Sequence, residues 1–113
     1  MAKPSALTTH ILDTAAGTPA QGVTVELFRI GPDGPVKVTE RVTNADGRTD
    51  TPLLTPETFL AGHYELRFHV GAHFGGVGFL DIVPIAVRLE AGQGHYHVPL
   101  LCSPWSYATY RGS

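Results

Sequence analysis

An all-β sandwich is the fold class this sequence predicts, and three observations predict it. Glycine and proline, 13 and 9 of the 113 residues, break the chain at short intervals: at Gly17-Thr18-Pro19, Gly31-Pro32-Asp33-Gly34-Pro35, Asn44-Ala45-Asp46-Gly47, Gly71, Gly75-Gly76 and Gly92-Gln93-Gly94. The segments between them are too short for ordinary helices, and turn signals at such spacing mark sandwiches and barrels. In His63–Val70 the even positions (Tyr64, Leu66, Phe68, Val70) are apolar and the odd ones (His63, Glu65, Arg67, His69) polar, the period of a half-buried strand. Val23–Ile30 and Val36–Thr43 are β-rich and flank Gly31–Pro35, the layout of a hairpin.

In chain order the strands are Leu7–Leu12, the hairpin pair, a short strand at Thr49–Leu53, His63–Val70, Val83–Leu89, His95–Leu101 and Trp105–Tyr110, about eight in all. Val83, Ile85, Val87 and Leu89 alternate, and Pro84, which lacks an N–H, points to an edge strand or a bulge. The one candidate helical turn lies within Thr55–Leu60. There is no repeat, low-complexity tract or linker. Residues 1–113 read as a single domain, because two independent cores would not fit in this length.

Composition excludes several function classes. Hydrophobic residues make up 42% of the chain, too many for wholesale disorder. Eight Lys and Arg against ten Asp and Glu leave a formal charge of −2, which draws neither nucleic acid nor an anionic membrane. No apolar run approaches the ~20 residues a bilayer requires. Met1-Ala2-Lys3-Pro4-Ser5 lacks the apolar stretch of a secretory signal. A lone cysteine, Cys102, excludes an internal disulfide and a multi-Cys metal site. Together these features lead us to expect a cytoplasmic protein.

The six histidines and one arginine divide by position. His63 and His69 lie on the polar face of their strand and read as solvated; His73 sits in a glycine-rich stretch without an evident partner, and Cys102 reads as a small apolar filler. His95 and His97 are two apart on a strand, so both project from one face. Such a pair can begin a metal site, yet no acidic residue follows Glu90 to complete one, so no metal is expected. His10 lies opposite Leu7 and Ile11. Arg48 follows Asp46-Gly47, a turn pair that can hold the next side chain firmly. The tail, Ser103 to Ser113, is aromatic almost to its end, unlike most termini; Tyr107 and Tyr110 argue that it docks, carrying its carboxylate to a fixed place.

Leu7-Thr8-Thr9-His10-Ile11-Leu12-Asp13-Thr14, Asn44-Ala45-Asp46-Gly47-Arg48, His95-Tyr96-His97-Val98-Pro99-Leu100-Leu101 and the terminal Tyr110-Arg111-Gly112-Ser113 together resemble the 5-hydroxyisourate hydrolase family, the transthyretin-related enzymes of urate breakdown. The match spans essentially the whole chain in the right order, and the terminal tetrapeptide resembles a signature that the hormone carrier transthyretin lacks. Gly71–Phe79 is shorter and richer in glycine than the family's segment, where a short helix is expected. Trp105-Ser106 replaces an aromatic–glycine pair and Ala108 a serine.

The resemblance implies a transthyretin-like β-sandwich of two four-stranded sheets with at most one short helix. It implies a homotetramer, a dimer of dimers, with the active site at the dimer–dimer interface. The implied reaction is hydrolysis of a purine-derived small molecule, 5-hydroxyisourate, to 2-oxo-4-hydroxy-4-carboxy-5-ureidoimidazoline without a cofactor. The implied catalytic set is His10, Arg48, His97 and Ser113. His97 and His10 activate water and return the proton, in an order the residues leave open; Arg48 binds the carbonyl-rich ring and its oxyanion; Ser113 closes the pocket by carboxylate or hydroxyl. Tyr110, Arg111 and Gly112 position the tail, and His95 supports His97. The alternative is a transthyretin-like carrier of a small hydrophobic ligand, which would line the same channel with apolar groups.

Overall fold

Alternating burial along the strands sorts the chain into two layers. The structure, a computed structural model, describes residues 4–113. The elements are β1 (Ala6–Asp13), β2 (Thr18–Pro19), β3 (Thr24–Gly31), β4 (Gly34–Val42), β5 (Gly62–His69), α1 (Val70–His73), β6 (Ile82–Leu89), β7 (His95–Cys102) and β8 (Tyr107–Thr109). They form two four-stranded sheets, ordered β2-β1-β7-β8 and β4-β3-β5-β6. This is the sandwich expected, with one short helix. Leu7, Ile11 and Leu100 from the first sheet share a core with Val25, Leu27, Leu66, Phe68 and Val83 from the second. Burying each such side chain contributes about 1.5–3 kcal/mol.

β1 and β7 pair in parallel from Ala6↔His95 to Asp13↔Cys102. Strand alternation then sends Thr8, His10, His95, His97 and Pro99 to the outer face of the first sheet. Thr9, on the inner face, is satisfied by donating its hydroxyl to the Val98 carbonyl at 2.7 Å. The other edge of β1 is covered in pieces. β2 pairs with Leu12 and Asp13, the Ile11 N–H donates to the Gly47 carbonyl at 2.8 Å, and the Leu7 N–H donates to that of Leu54 at 2.9 Å.

Three local expectations are corrected. Thr49–Leu53 is not a strand: this part of the chain meets β1 only through isolated bridges at His10–Arg48 and Leu7–Leu54. Thr49 bends it by donating its hydroxyl to the Thr51 carbonyl at 2.7 Å, and Pro52 has no N–H to offer a ladder. The missing strand is Thr18–Pro19, inside a turn signal. Thr55–Leu60 closes one turn, with the Phe59 N–H donating to the Thr55 carbonyl at 2.8 Å, and goes no further: the Leu60 carbonyl accepts from the Tyr64 hydroxyl at 2.5 Å and the chain enters β5 at Gly62. The helix is instead α1, which ends before Gly75-Gly76. Pro84 lies on β6, an edge strand, as expected.

α1 joins the two layers. His73, which the sequence left without a partner, places Nε2 2.9 Å from Asp13 Oδ2, and the Ala16 N–H donates to Asp13 Oδ1 at 2.9 Å. Burial pushes the Asp13 carboxyl up, but the bonds to His73 and Ala16 outweigh it and hold it below the ordinary value of 3.8. A depressed carboxyl stabilises the fold above its unfolded value, and that contribution is lost as pH falls through the folded one. Asp13→Asn is therefore expected to cost about 1.5 kcal/mol at pH 7. The gap from wild type should close as the pH is lowered below about 4, measured as urea midpoints across pH.

Candidate active site

Three pieces of chain meet on the outer face of β1 and β7. β1 and β7 supply Thr8, Thr9, His95 and His97, the 44–48 turn supplies Arg48, and the tail supplies Ser113; with Thr49 they line a cleft of about 270 Å³. That is just under the usual range for drug-sized ligands, so it suits a single small ring system.

Arg48 is fixed by the turn before it. Asn44 Oδ1 accepts from the N–H groups of Asp46 at 2.9 Å and Arg48 at 3.2 Å, and the Asn44 N–H donates to the Arg48 carbonyl at 2.7 Å. Gly47 sits at φ +71°, and a Cβ there would run into the Ile11 carbonyl oxygen, so only glycine brings this turn so close to β1. The bridge from Arg48 to His10 follows directly.

His97 is the half-buried imidazole of the group. Burial first, then Arg48, His95 and His10, push its pKa below the ordinary 6.5: loss of water and neighbouring positive charge both disfavour imidazolium. At neutral pH it therefore offers a free lone pair. Its ring stands nearly perpendicular to that of His95, at 84° with centroids 6.2 Å apart. Thr8 Oγ1 lies between them, 2.6 Å from His95 Nε2 and 2.8 Å from His97 Nδ1. Thr8 escaped the sequence reading. Its one signal is parity: it stands two residues before His10, on the same face of the same strand.

The tail is docked, though not by its tyrosines. Tyr107 is 44% and Tyr110 60% exposed, so they bury too little to anchor it. Backbone pairing holds the tail instead: β8 pairs with Leu100–Cys102, Thr109 donates its hydroxyl to the Pro99 carbonyl at 2.7 Å, and the Gly112 N–H donates to the His97 carbonyl at 2.8 Å. Arg111 points away from the cleft; its guanidinium lies 4.2 Å from the centre of the Tyr96 ring, a cation–π contact that steadies the chain end. Arg48, His95, His97 and Ser113 thus share one cleft. His10, further along the same face, lines a smaller hollow with Tyr110 and Pro99. His63 is exposed on the other sheet and His69 pairs with Glu26 there. Among the described residues no three His, Cys, Asp or Glu side chains converge as a metal set. The Cys102 thiol, buried and pushed up to about 11, is no nucleophile at neutral pH.

Fold and cleft define a transthyretin-type sandwich that carries a polar, histidine- and arginine-lined site. The chain belongs to the HIUase/Transthyretin family, whose family model matches residues 7–112. A 5-hydroxyisourate hydrolase from Deinococcus radiodurans is 52% identical over 113 residues, covering 95% of each chain. The solved 5-hydroxyisourate hydrolase of Klebsiella pneumoniae superimposes with a TM-score of 0.82 at 37% identity, covering 100% of this chain and 97% of that one. Transthyretin from Sparus aurata superimposes with a TM-score of 0.86 at 32% identity, covering 94% and 95%.

Gly112 makes the closing of the cleft testable. A Cβ on it would lie 2.6 Å from His97 Cδ2 and 3.2 Å from Pro99 Cγ, so Gly112→Ala must lift the tail or turn the imidazole. Since it touches nothing in the core, we expect the melting temperature to move by less than about 3 °C. Turnover should fall at least about tenfold, the scale for a misplaced reacting group.

Proposed function

We propose that this chain hydrolyses 5-hydroxyisourate to 2-oxo-4-hydroxy-4-carboxy-5-ureidoimidazoline, opening the ring at its N1–C6 bond. One observation carries the reading: a half-buried histidine, His97, held neutral in a cleft with Arg48 and the chain's terminal residue. The reaction requires a base for water, a stabiliser for the oxyanion at C6 and a proton for the departing nitrogen. His97, kept free of a proton by burial and by cationic neighbours, takes the proton from water. The Arg48 fork binds the carbonyl-rich ring and the charge that develops on it. Ser113 closes the cleft, and His10 assists from the adjoining stretch of β1. The ring is already activated, so the reaction needs no cofactor. The 5-hydroxyisourate hydrolases of 52% and 37% identity support the same reading.

A carrier of hydrophobic hormones is the alternative on this fold. Two imidazoles, a guanidinium and a chain terminus around one cleft favour hydrolysis over apolar binding. We infer a homotetramer, a dimer of dimers, with this face at the dimer–dimer interface. The exposure of Val77, Phe79 and Trp105 supports a larger assembly, as do the open sheet edges at β6 and β8. No helix among the described residues is long and apolar enough to cross a membrane, and we place the protein in the cytoplasm.

The test generates 5-hydroxyisourate in situ from urate and follows its ultraviolet decay with and without the protein. Wild type should accelerate the decay; a spontaneous rate in its presence would contradict hydrolysis. His97→Ala and His10→Ala should each lower kcat by at least about 100-fold. Arg48→Ala should raise KM and lower kcat, whereas His63→Ala should change neither. Activity should hold down to pH values below 6.5 and then fall as His97 acquires its proton.

A further inference from the structure

The Thr8 hydroxyl is placed where a single proton has two destinations. It lies 2.6 Å from His95 Nε2 and 2.8 Å from His97 Nδ1. A hydroxyl carries one proton to donate, and a neutral imidazole has one nitrogen that donates and one that accepts. Full satisfaction of this trio therefore requires opposite states at the two facing nitrogens: one bears hydrogen and the other does not. Two arrangements meet that condition. In the first, His97 Nδ1–H donates to Thr8 and Thr8 donates to His95 Nε2, which leaves His97 Nε2 as a free lone pair. In the second, His95 Nε2–H donates to Thr8 and Thr8 donates to His97 Nδ1, which leaves His97 Nε2 bearing hydrogen.

We propose that Thr8 is a proton-relay and positioning residue that couples His95 to His97, so that His97 Nε2 acts first as base and then as acid in one turnover. The proposal rests on the hydrolysis reading, in which His97 activates water. Starting from the first arrangement, His97 Nε2 takes a proton from water as the hydroxide adds to the substrate carbonyl carbon. The His97 Nδ1 proton moves to Thr8 Oγ1 while the hydroxyl's own proton moves to His95 Nε2. His97 ends neutral with hydrogen on Nε2, Thr8 is again a hydroxyl, and His95 is an imidazolium. When the C–N bond breaks, His97 Nε2–H protonates the leaving nitrogen and the relay runs backward, which restores both histidines. One proton leaves water and one arrives on nitrogen, so the account balances.

The surroundings favour moving the charge outward. The charged groups that face His97 are His10 from β1, Arg48 from the 44–48 turn and His95 from its own strand, and Ser113 from the tail lines the same cleft. Burial, Arg48, His95 and His10 all weigh against an imidazolium at His97. His95 is exposed, so water solvates the same charge there at lower cost. The relay thus removes from the half-buried ring a charge its neighbours oppose.

The test uses protein labelled with 15N in its histidines and reads each tautomer by long-range 1H–15N correlation without substrate, in wild type, Thr8→Val, Thr8→Ala and Thr8→Ser. In wild type, neutral His97 should carry hydrogen on Nδ1, and Thr8→Ser should keep it there. Thr8→Val and Thr8→Ala should mix the tautomers, lower kcat/KM at least about tenfold and move the acid limb of the pH profile to lower pH, because imidazolium at His97 loses an acceptor. Thr8→Ser should restore kcat/KM to within about threefold of wild type. Wild-type His97 found with hydrogen on Nε2, or Thr8→Val with an unchanged pH profile and kcat, would overturn the relay. The tautomer measurement needs neither substrate nor a variant. It can therefore fail while hydrolysis stands, and hydrolysis can fail while it succeeds.

Discussion

The parallel pairing of β1 with β7 is the constraint from which the site follows. It joins the first long strand of the chain to one of the last, and its register sets Thr8 beside His97 and His10 beside Pro99. A slip of one residue would turn every side chain of β1 to the other face. Leu7, Thr9 and Ile11 would lose the core, and Thr8 and His10 would be buried in it. The fully buried Leu7 and Ile11 and the bond from Thr9 to the Val98 carbonyl hold the register from inside. The positions that give stability thus fix the positions that face the cleft, one residue apart along the same strand.

Around that pair the chain adds two clamps, each closed by a glycine. Gly47 brings the 44–48 turn against β1 and so delivers Arg48; Gly112 lets the tail lie against the His97 ring. Both clamps are backbone contacts, with the Ile11 N–H on the Gly47 carbonyl and the Gly112 N–H on that of His97. Side-chain anchoring would leave more freedom, because rotamers can move while a paired backbone cannot. The result is positive charge and imidazole concentrated around a ring partly withdrawn from water, the setting that keeps His97 neutral.

Much of this was legible in the residues. Alternation in His63–Val70 gave a strand with the faces found, and the spacing of His95 and His97 gave a shared face, because period two is a local property. What escaped depends on partners distant in sequence. Thr18–Pro19 is a strand only because β1 offers an edge at Leu12 and Asp13, and a glycine–threonine–proline run reads locally as a turn. Thr55–Leu60 closes its single turn, but the helix forms at Val70–His73, where the Phe74 N–H reaches back to the Val70 carbonyl at 3.1 Å. The tyrosines of the tail suggested burial, yet a ladder supplied by β7 does the holding. Thr8 could not be singled out without the register that sets it beside His97.

The central claim is that the docked chain end completes a hydrolytic cleft that the sandwich alone does not make. Removing Arg111 to Ser113 tests it most directly, with the decay of 5-hydroxyisourate and thermal unfolding measured on the same sample. The truncated chain should unfold within about 3 °C of wild type, since the three residues bury little of the core. Its rate of decay should fall most of the way to the spontaneous one. Undiminished acceleration by a folded, truncated chain would contradict the account and reduce the tail to packing.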